Sequence, residues 1–243
     1  MMITATFHLF PDLNDFLPPE RRSGLFDETF ESGQSIKHLI EAAGVPHTEV
    51  GEIRVNDQAV SFDYLVQNGD QAAVFQATSS NTPGPVTAIF VLDNHLGRLA
   101  AYLRMLGFDT LYRNDFDDVT LAEISATEER ILLTRDRRLL MRKMVRHGYC
   151  LRSLDSSHQL AEVLRRYDLF EQIAPFKRCL RCNTPLAPVD KTAIIDRLQP
   201  LTRQYFDTFH ICPACGQIYW KGSHYDHMQA LIQKLQTQKN VGG

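Results

Sequence analysis

The sequence predicts an α/β protein: an open parallel sheet set between a small β-rich front segment and a cysteine-bearing tail. Three observations carry this expectation. Short apolar runs alternate with helical patterns between residues 86 and 172, short strands surround one helix before residue 78, and two Cys-x-x-Cys pairs follow residue 173.

The 243 residues exceed what one ordinary domain needs. With 44% hydrophobic and 23% charged residues, the chain can bury more than one core. It has no apolar run long enough to cross a bilayer, and MMITATFHLF lacks the basic region and cleavage site of a signal peptide, so a cytoplasmic protein without membrane association is expected. The net charge of −3 hides an asymmetry. Residues 1–80 hold 4 Lys/Arg against 12 Asp/Glu, whereas residues 130–181 hold 13 against 5. A basic stretch of that density marks a surface for polyanions, although helices that simply expose arginine would look the same.

Residues 1–77 form the first expected domain. TATFHLF and LFDETFES read as strands, and Ser35 is placed to cap the helix IKHLIEAAG, which Gly44 and Pro46 end. EIRV then turns at Asn56-Asp57, and QAAVFQA follows a second turn at Asn68-Gly69-Asp70. This order of elements is that of a β-grasp fold. The Ser/Pro/Gly-rich stretch 78–85 reads as a linker, giving the front segment a separate core and making it dispensable for chemistry elsewhere.

Residues 86–172 form the second expected domain. AIFVLD, FDTLYR, RILLTR and YCLRSL are short and almost wholly apolar, as strands buried on both faces must be. Between the first two, HLGRLAAYLRMLG places Leu96, Leu99, Leu103 and Leu106 on one helical face, with Gly107 as terminator. Further helices are expected near Asp117, after Asp136 and near Ser156.

Residues 173–243 form the third expected domain, with a polar helix closing the chain. Cys179 and Cys182 make one knuckle and Cys212 and Cys215 the other, a spacing that delivers four thiolates to one Zn²⁺ in a zinc ribbon. Asn183 and Gly216 suit the tight turns that follow such knuckles. Four thiolates leave no open coordination position, so this zinc is structural. Cys150 reads as a buried core thiol, and His210 and His224 as bystanders.

Chemistry is expected at the carboxylates. Asp93 ends the first strand of the α/β segment, Asp115 follows the second, Asp118 opens the next helix, and Asp136 follows the third strand. The C-terminal strand ends of an open parallel sheet share the rim where ligands bind. Converging carboxylates repel unless a cation neutralises them, and Mg²⁺ or Mn²⁺ held there could activate a water for in-line attack on a phosphodiester. The competing reading makes Asp117 or Asp118 a helix cap and Asp115 an exposed loop residue.

Two resemblances sharpen these expectations. SIKHLIEAAGVPHTEVGEIRVNDQAVSFDYLVQNGDQAAVF resembles the small ubiquitin-like domains related to sulfur carriers. Such carriers act through a C-terminal Gly-Gly, whereas this segment runs into QATSSNTPGP and the chain's own Gly242 and Gly243 follow a different segment, so binding or scaffolding is expected of it. LDNHLGRLAAYLRMLGFDTLYRNDFDDVTLAEI with ILLTRDRRLL resembles the PIN-like ribonuclease domain of the Mut-seven C-terminal family, which commonly carries a zinc ribbon after it and sometimes a ubiquitin-like domain before it. The resemblance implies a PIN fold and a metal-dependent ribonuclease; transfer RNA or another structured RNA, single strands and ribosomal precursors are all open as its substrate. Position by position, the family's first acid falls on Asp93, its helix-start acid on Asp118 and its TRD acid on Asp136, with Asp115 as a fourth and Glu123 in reserve. Arg137, Arg98 and Arg104 then become candidate phosphate contacts, of which at most one of the last two need touch substrate because they lie on different helical faces, and Tyr102 becomes either a stacking face for a base or half-buried helix packing. The acidic front would bind a protein partner or restrain the site. The rival readings are a non-catalytic zinc-ribbon RNA-binding protein and a sulfur-carrier or conjugation factor.

Overall fold

The computed structural model describes residues 1–78 and 87–222, with 225, 229, 230, 232 and 233 beyond them. Residues 79–85 of the expected linker, His224, most of the expected terminal helix, and Gly242 and Gly243 lie outside the described residues. In chain order come β1 (Met2–Leu9), β2 (Leu25–Glu31), α1 (Ile36–Ala42), β3 (Val50–Val55), β4 (Gln58–Ala59) and β5 (Gln71–Gln76). Then follow β6 (Ile89–Leu92), α2 (Gly97–Met105), β7 (Asp109–Tyr112), α3 (Asp118–Thr127), β8 (Ile131–Thr134), α4 (Arg137–Leu140), β9 (Gly148–Cys150) and α5 (Ser156–Arg166). The last segment holds β10 (Ala187–Val189), α6 (Lys191–Ile194), α7 (Pro200–Tyr205), β11 (Phe209–Ile211) and β12 (Ile218–Tyr219). The chain divides into two compact units, Met1–Thr87 with Phe116–Arg152 and Ala88–Asp115 with Ser153–Gly243.

The front segment is ubiquitin-like, as its order of elements predicts. Its sheet runs β2-β1-β5-β3-β4, with β1 and β5 parallel and the other neighbours antiparallel. Alternation in β1 buries Ile3, Ala5, Phe7 and Leu9, while α1 buries Ile36, Leu39 and Ile40. Ser35 caps α1 by accepting from the His38 N–H at 3.3 Å. Asn56 and Asp57 both have positive φ, 49° and 66°, the geometry of a two-residue hairpin turn joining β3 to β4. Asp70 closes the second turn by accepting from the Asn56 amide, the Tyr64 hydroxyl and the Gln67 N–H at 2.8–3.0 Å.

The strands between residues 86 and 172 form the expected parallel sheet, in the order β7-β6-β8-β9, with parallel ladders between β6 and β7 and between β8 and β9. Phe90, Val91 and Leu92 of β6 and Ile131, Leu132 and Leu133 of β8 are all buried, which accounts for their unbroken apolar runs. The four leucines expected on one face of the first helix are buried. Gly107 ends that helix at φ 97°, and a Cβ there would stand 2.2 Å from the Ala174 carbonyl oxygen, so only glycine fits.

The front segment does not keep a core apart from residues 116–152. Glu49, 0% exposed, accepts from the Cys150 N–H at 2.6 Å and pairs with Arg152 Nη2 at 2.9 Å. His47 Nε2 donates to the Val145 carbonyl at 2.8 Å, and the Arg152 guanidinium lies 4.4 Å from the centroid of the Phe16 ring. Burial alone would lower the Arg152 pKa, but the Glu49 carboxylate beside it holds it up. Part of the charge asymmetry in the sequence is therefore used internally: a carboxylate of the acidic front neutralises an arginine of the basic middle. Residues 1–77, expected to keep a separate core, supply the buried carboxylate partner of Arg152.

Glu49→Ala removes the buried carboxylate that pairs with the half-buried Arg152 and caps the Cys150 N–H, and is expected to destabilise the protein by about 1–3 kcal/mol. A urea-denaturation cycle with Arg152→Met and the double variant checks it, and additive single effects would contradict the pairing.

Candidate functional site

Among the described residues, the group of metal-ligating side chains that the fold draws together is the cysteine quartet. The sulfurs of Cys179, Cys182, Cys212 and Cys215 all lie within 4.8 Å of one another, with 3.6 Å between Cys179 and Cys215 and 3.5 Å between Cys182 and Cys212. A tetrahedral thiolate site with metal–sulfur bonds of about 2.3 Å needs sulfurs about 3.8 Å apart, so the four fit one ion. The knuckles are made locally. Asn183 and Gly216 take positive φ, 67° and 70°, and return their N–H groups to the Cys179 and Cys212 carbonyls at 2.9 and 2.8 Å. Hydrogen bonding from Thr184 pulls the Cys182 thiol down to about 6. Cys215, despite a hydrogen bond from the Gln217 backbone, is pushed up to about 12 by desolvation and by the three other sulfurs. Four thiols this close resist full ionisation without a cation among them.

The quartet is anchored by residues whose part the sequence did not disclose. Arg104 is 5% exposed, and its donors are spent on backbone: Nε on the Thr110 carbonyl at 2.9 Å, and Nη1 on the Leu180 and Arg181 carbonyls at 3.0 and 3.1 Å. Burial lowers its pKa, and the charges of Cys179 and Cys182 oppose that fall. The expectation that Arg104 contacts phosphate is thereby corrected: its guanidinium braces the first knuckle from inside. Asn183 is more than a turn residue, since its Oδ1 accepts from the Thr110 N–H at 3.0 Å and its Nδ2 donates to Asp109 at 2.8 Å. Tyr219 accepts from the Leu180 N–H at 3.0 Å, and its hydroxyl lies 3.2 Å from the Cys179 sulfur. His210 stacks on Phe176 at 5.4 Å, consistent with its reading as a bystander.

The carboxylates are placed one by one by their own elements. Asp93 directly follows β6, and its Oδ1 accepts from the Asn94 N–H at 2.6 Å. Asp136 sits between β8 and α4: its N–H donates to Thr134 Oγ1 at 2.9 Å, while its Oδ1 caps the helix by accepting from the Arg138 N–H at 2.7 Å. Asp118 is the first residue of α3, exposed and 3.9 Å from Arg142. The cap of that helix is Asp117, which accepts from the Thr120 N–H at 2.8 Å and has its pKa lowered by that bond. Asp115 follows β7 but is gripped by both arms of Arg113 at 2.6 and 2.8 Å, an exposed pair that lowers its pKa. Glu123 lies within α3.

The remaining candidates divide. Arg98 is exposed on α2, and Tyr102, half-buried one turn later, shares its face. Arg137 was expected at phosphate. Instead it donates to the Phe16 and Asp15 carbonyls at 2.8 and 3.2 Å, with its guanidinium 4.9 Å from the centroid of the Phe16 ring. Front-segment carbonyls compete for arginine donors as phosphate would, and they are adjacent. Cys150 is the buried thiol expected, and desolvation with the Glu49 charge pushes it up to about 11.

Comparison with known proteins completes the description. No curated protein and no solved structure matches the chain. The Mut7-C ubiquitin model matches residues 2–81, and the Mut7-C RNAse domain model matches residues 88–232. With more than half its length matched by the second model, the chain belongs to the Mut7-C RNAse domain family.

Proposed function

We propose that this protein is a divalent-metal-dependent ribonuclease of PIN type, with Asp93, Asp118 and Asp136 holding Mg²⁺ or Mn²⁺ and the four cysteines holding a structural Zn²⁺. The observation that carries the reading is the match of residues 88–232 to a ribonuclease domain. It is supported by Asp93 and Asp136, each at the C-terminal end of a strand of a parallel sheet, the rim at which such sheets bind ligands. A divalent cation supplies the charge that activates water and steadies an attacked phosphodiester. The chain's own part is to hold the ligand oxygens still. Asp136 is fixed on both sides, by Thr134 before it and Arg138 after it, so one carboxylate oxygen is committed to backbone and the other serves the cation. Asp118, free of the capping duty that Asp117 performs, contributes its carboxylate from the first turn of α3. Asp115 is the weaker fourth, because a ligand role would cost it the Arg113 pair. Arg98 and Tyr102 are the contacts retained for RNA beside this site.

The two metals call for opposite ligand chemistry: soft thiolates select zinc, whereas carboxylates suit Mg²⁺ and Mn²⁺. Cleavage should therefore stop with EDTA and return with added Mg²⁺ or Mn²⁺ while the thiolate-bound zinc stays in place.

Asp136→Asn preserves size and the helix cap, since asparagine caps as well as aspartate, so the fold should survive. Cleavage of RNA should fall by orders of magnitude, measured on gels against thermal melts of the same sample. A folded Asp136→Asn variant that cleaves undiminished would refute the assignment. Cys212→Ser should release the zinc and destabilise residues 173–222, because thiolate-metal binding is folding free energy there. Elemental analysis checks this, and undiminished zinc in the variant would remove Cys212 from the ligand set.

A further inference from the structure

Beside the second knuckle lies a cleft of about 400 Å³, mainly polar, lined by Arg181, Arg197, Gln199, Cys215, Gln217 and Trp220 among others. That volume falls within the range of small-ligand sites, about 300–1,000 Å³. Among the described residues its lining includes no carboxylate. The cleft belongs to the ribbon itself. Arg181 is the residue between Leu180 and Cys182 in the first knuckle, with its carbonyl tied down by Arg104 at 3.1 Å and its side chain exposed. Arg197 reaches the cleft from beyond α6, where its Nη2 donates to the Gly216 carbonyl at 2.5 Å. That bond uses one of five guanidinium donors and aims the rest. Trp220 packs its inner side near Phe206 and Phe209, with centroids at 6.5 and 6.3 Å. It also borders an apolar cavity shared with Phe176, Tyr219 and Tyr225.

We propose that this cleft is an RNA-binding subsite, taking an unpaired nucleotide with its phosphate on Arg181 and Arg197 and its base against the indole of Trp220. Guanidinium forks match phosphate oxygens, and an aromatic face beside them takes a base only where it is unstacked. Gln199 and Gln217 each offer donors and an acceptor to a base edge. Four thiolates nearby would repel phosphate, and Arg104, buried against Cys179 and Cys182, offsets their charge from the other side. The identity of the ligand as RNA rests on the ribonuclease reading. The subsite extends that reading by naming where the ribbon grips the substrate and in what form.

Trp220 is the chain's single tryptophan, so its fluorescence reports on the cleft directly. The full-length protein, zinc-loaded but without Mg²⁺ or Mn²⁺, is titrated with a short single-stranded oligouridylate. The expected result is a saturable change in fluorescence that weakens with added salt. Arg181→Glu should reduce the affinity about tenfold or more, the loss of a charge-assisted contact, while zinc content stays unchanged. Unchanged fluorescence on adding RNA, wild-type affinity in Arg181→Glu, or equally tight binding of a duplex would each overturn the subsite. Its failure is separable from that of the ribonuclease reading. Cleavage by wild-type protein with no fluorescence response removes the subsite alone, and a specific response with no cleavage of any RNA removes the nuclease alone.

Discussion

A guanidinium removed from water must find acceptors, and the place where Arg104 finds them organises the unit that contains the ribbon. Three backbone carbonyls receive its donors, one following the start of β7 and two inside the first cysteine knuckle. The knuckle is thus held to a helix and a strand before any metal is considered. Asn183 repeats the connection from the opposite direction, its side chain pairing with the Thr110 N–H and with Asp109. Buried polar networks of this kind stabilise only when every member is satisfied. Here the satisfaction is supplied by the ribbon, so the cysteines are positioned relative to β7 by hydrogen bonds rather than by apolar packing alone.

The same rule of buried charge governs the other unit. Glu49 has no exposure and is compensated by a backbone N–H of β9 and by Arg152, which in turn lies against Phe16 and Tyr149. Arg137 is engaged by carbonyls of the same front segment. The ubiquitin-like domain thus supplies counter-charge to Arg152 after β9 and acceptors to Arg137, the residue next to Asp136. That arrangement gives the acidic composition of the front a use that needs no second protein.

Two kinds of ligand chemistry share one chain. Sulfur ligands are drawn together in a closed quartet, braced from within by Arg104 and Tyr219, and have no vacant direction for a substrate. The proposed oxygen ligands are placed by backbone elements instead: Asp93 and Asp136 follow strands, with a capping bond fixing the Asp136 side chain, and Asp118 opens α3. The proposed activity uses the second set for chemistry and the first for shape.

Local sequence signals were sufficient wherever a residue's role depends on its neighbours in the chain. Ser35 as a cap, Asn56-Asp57 as a turn, the leucine face of α2, the apolar strands of the parallel sheet and the two knuckles all follow from periodicity, φ preference or spacing, which act over a few residues. The positions of Asp93 and Asp136 just after strands were legible for the same reason. Roles that depend on burial and on distant partners were not. Arg104, Arg137 and Arg98 are chemically identical in the sequence, yet one is enclosed beneath a knuckle, one is engaged by carbonyls 121 and 122 residues away, and one stands exposed. Glu49 looks like any other acid of the front segment, and Asn183 like any other turn asparagine. Only the folded chain decides which charges lose their water, and desolvation is what turns an ordinary arginine or glutamate into an obligatory partner.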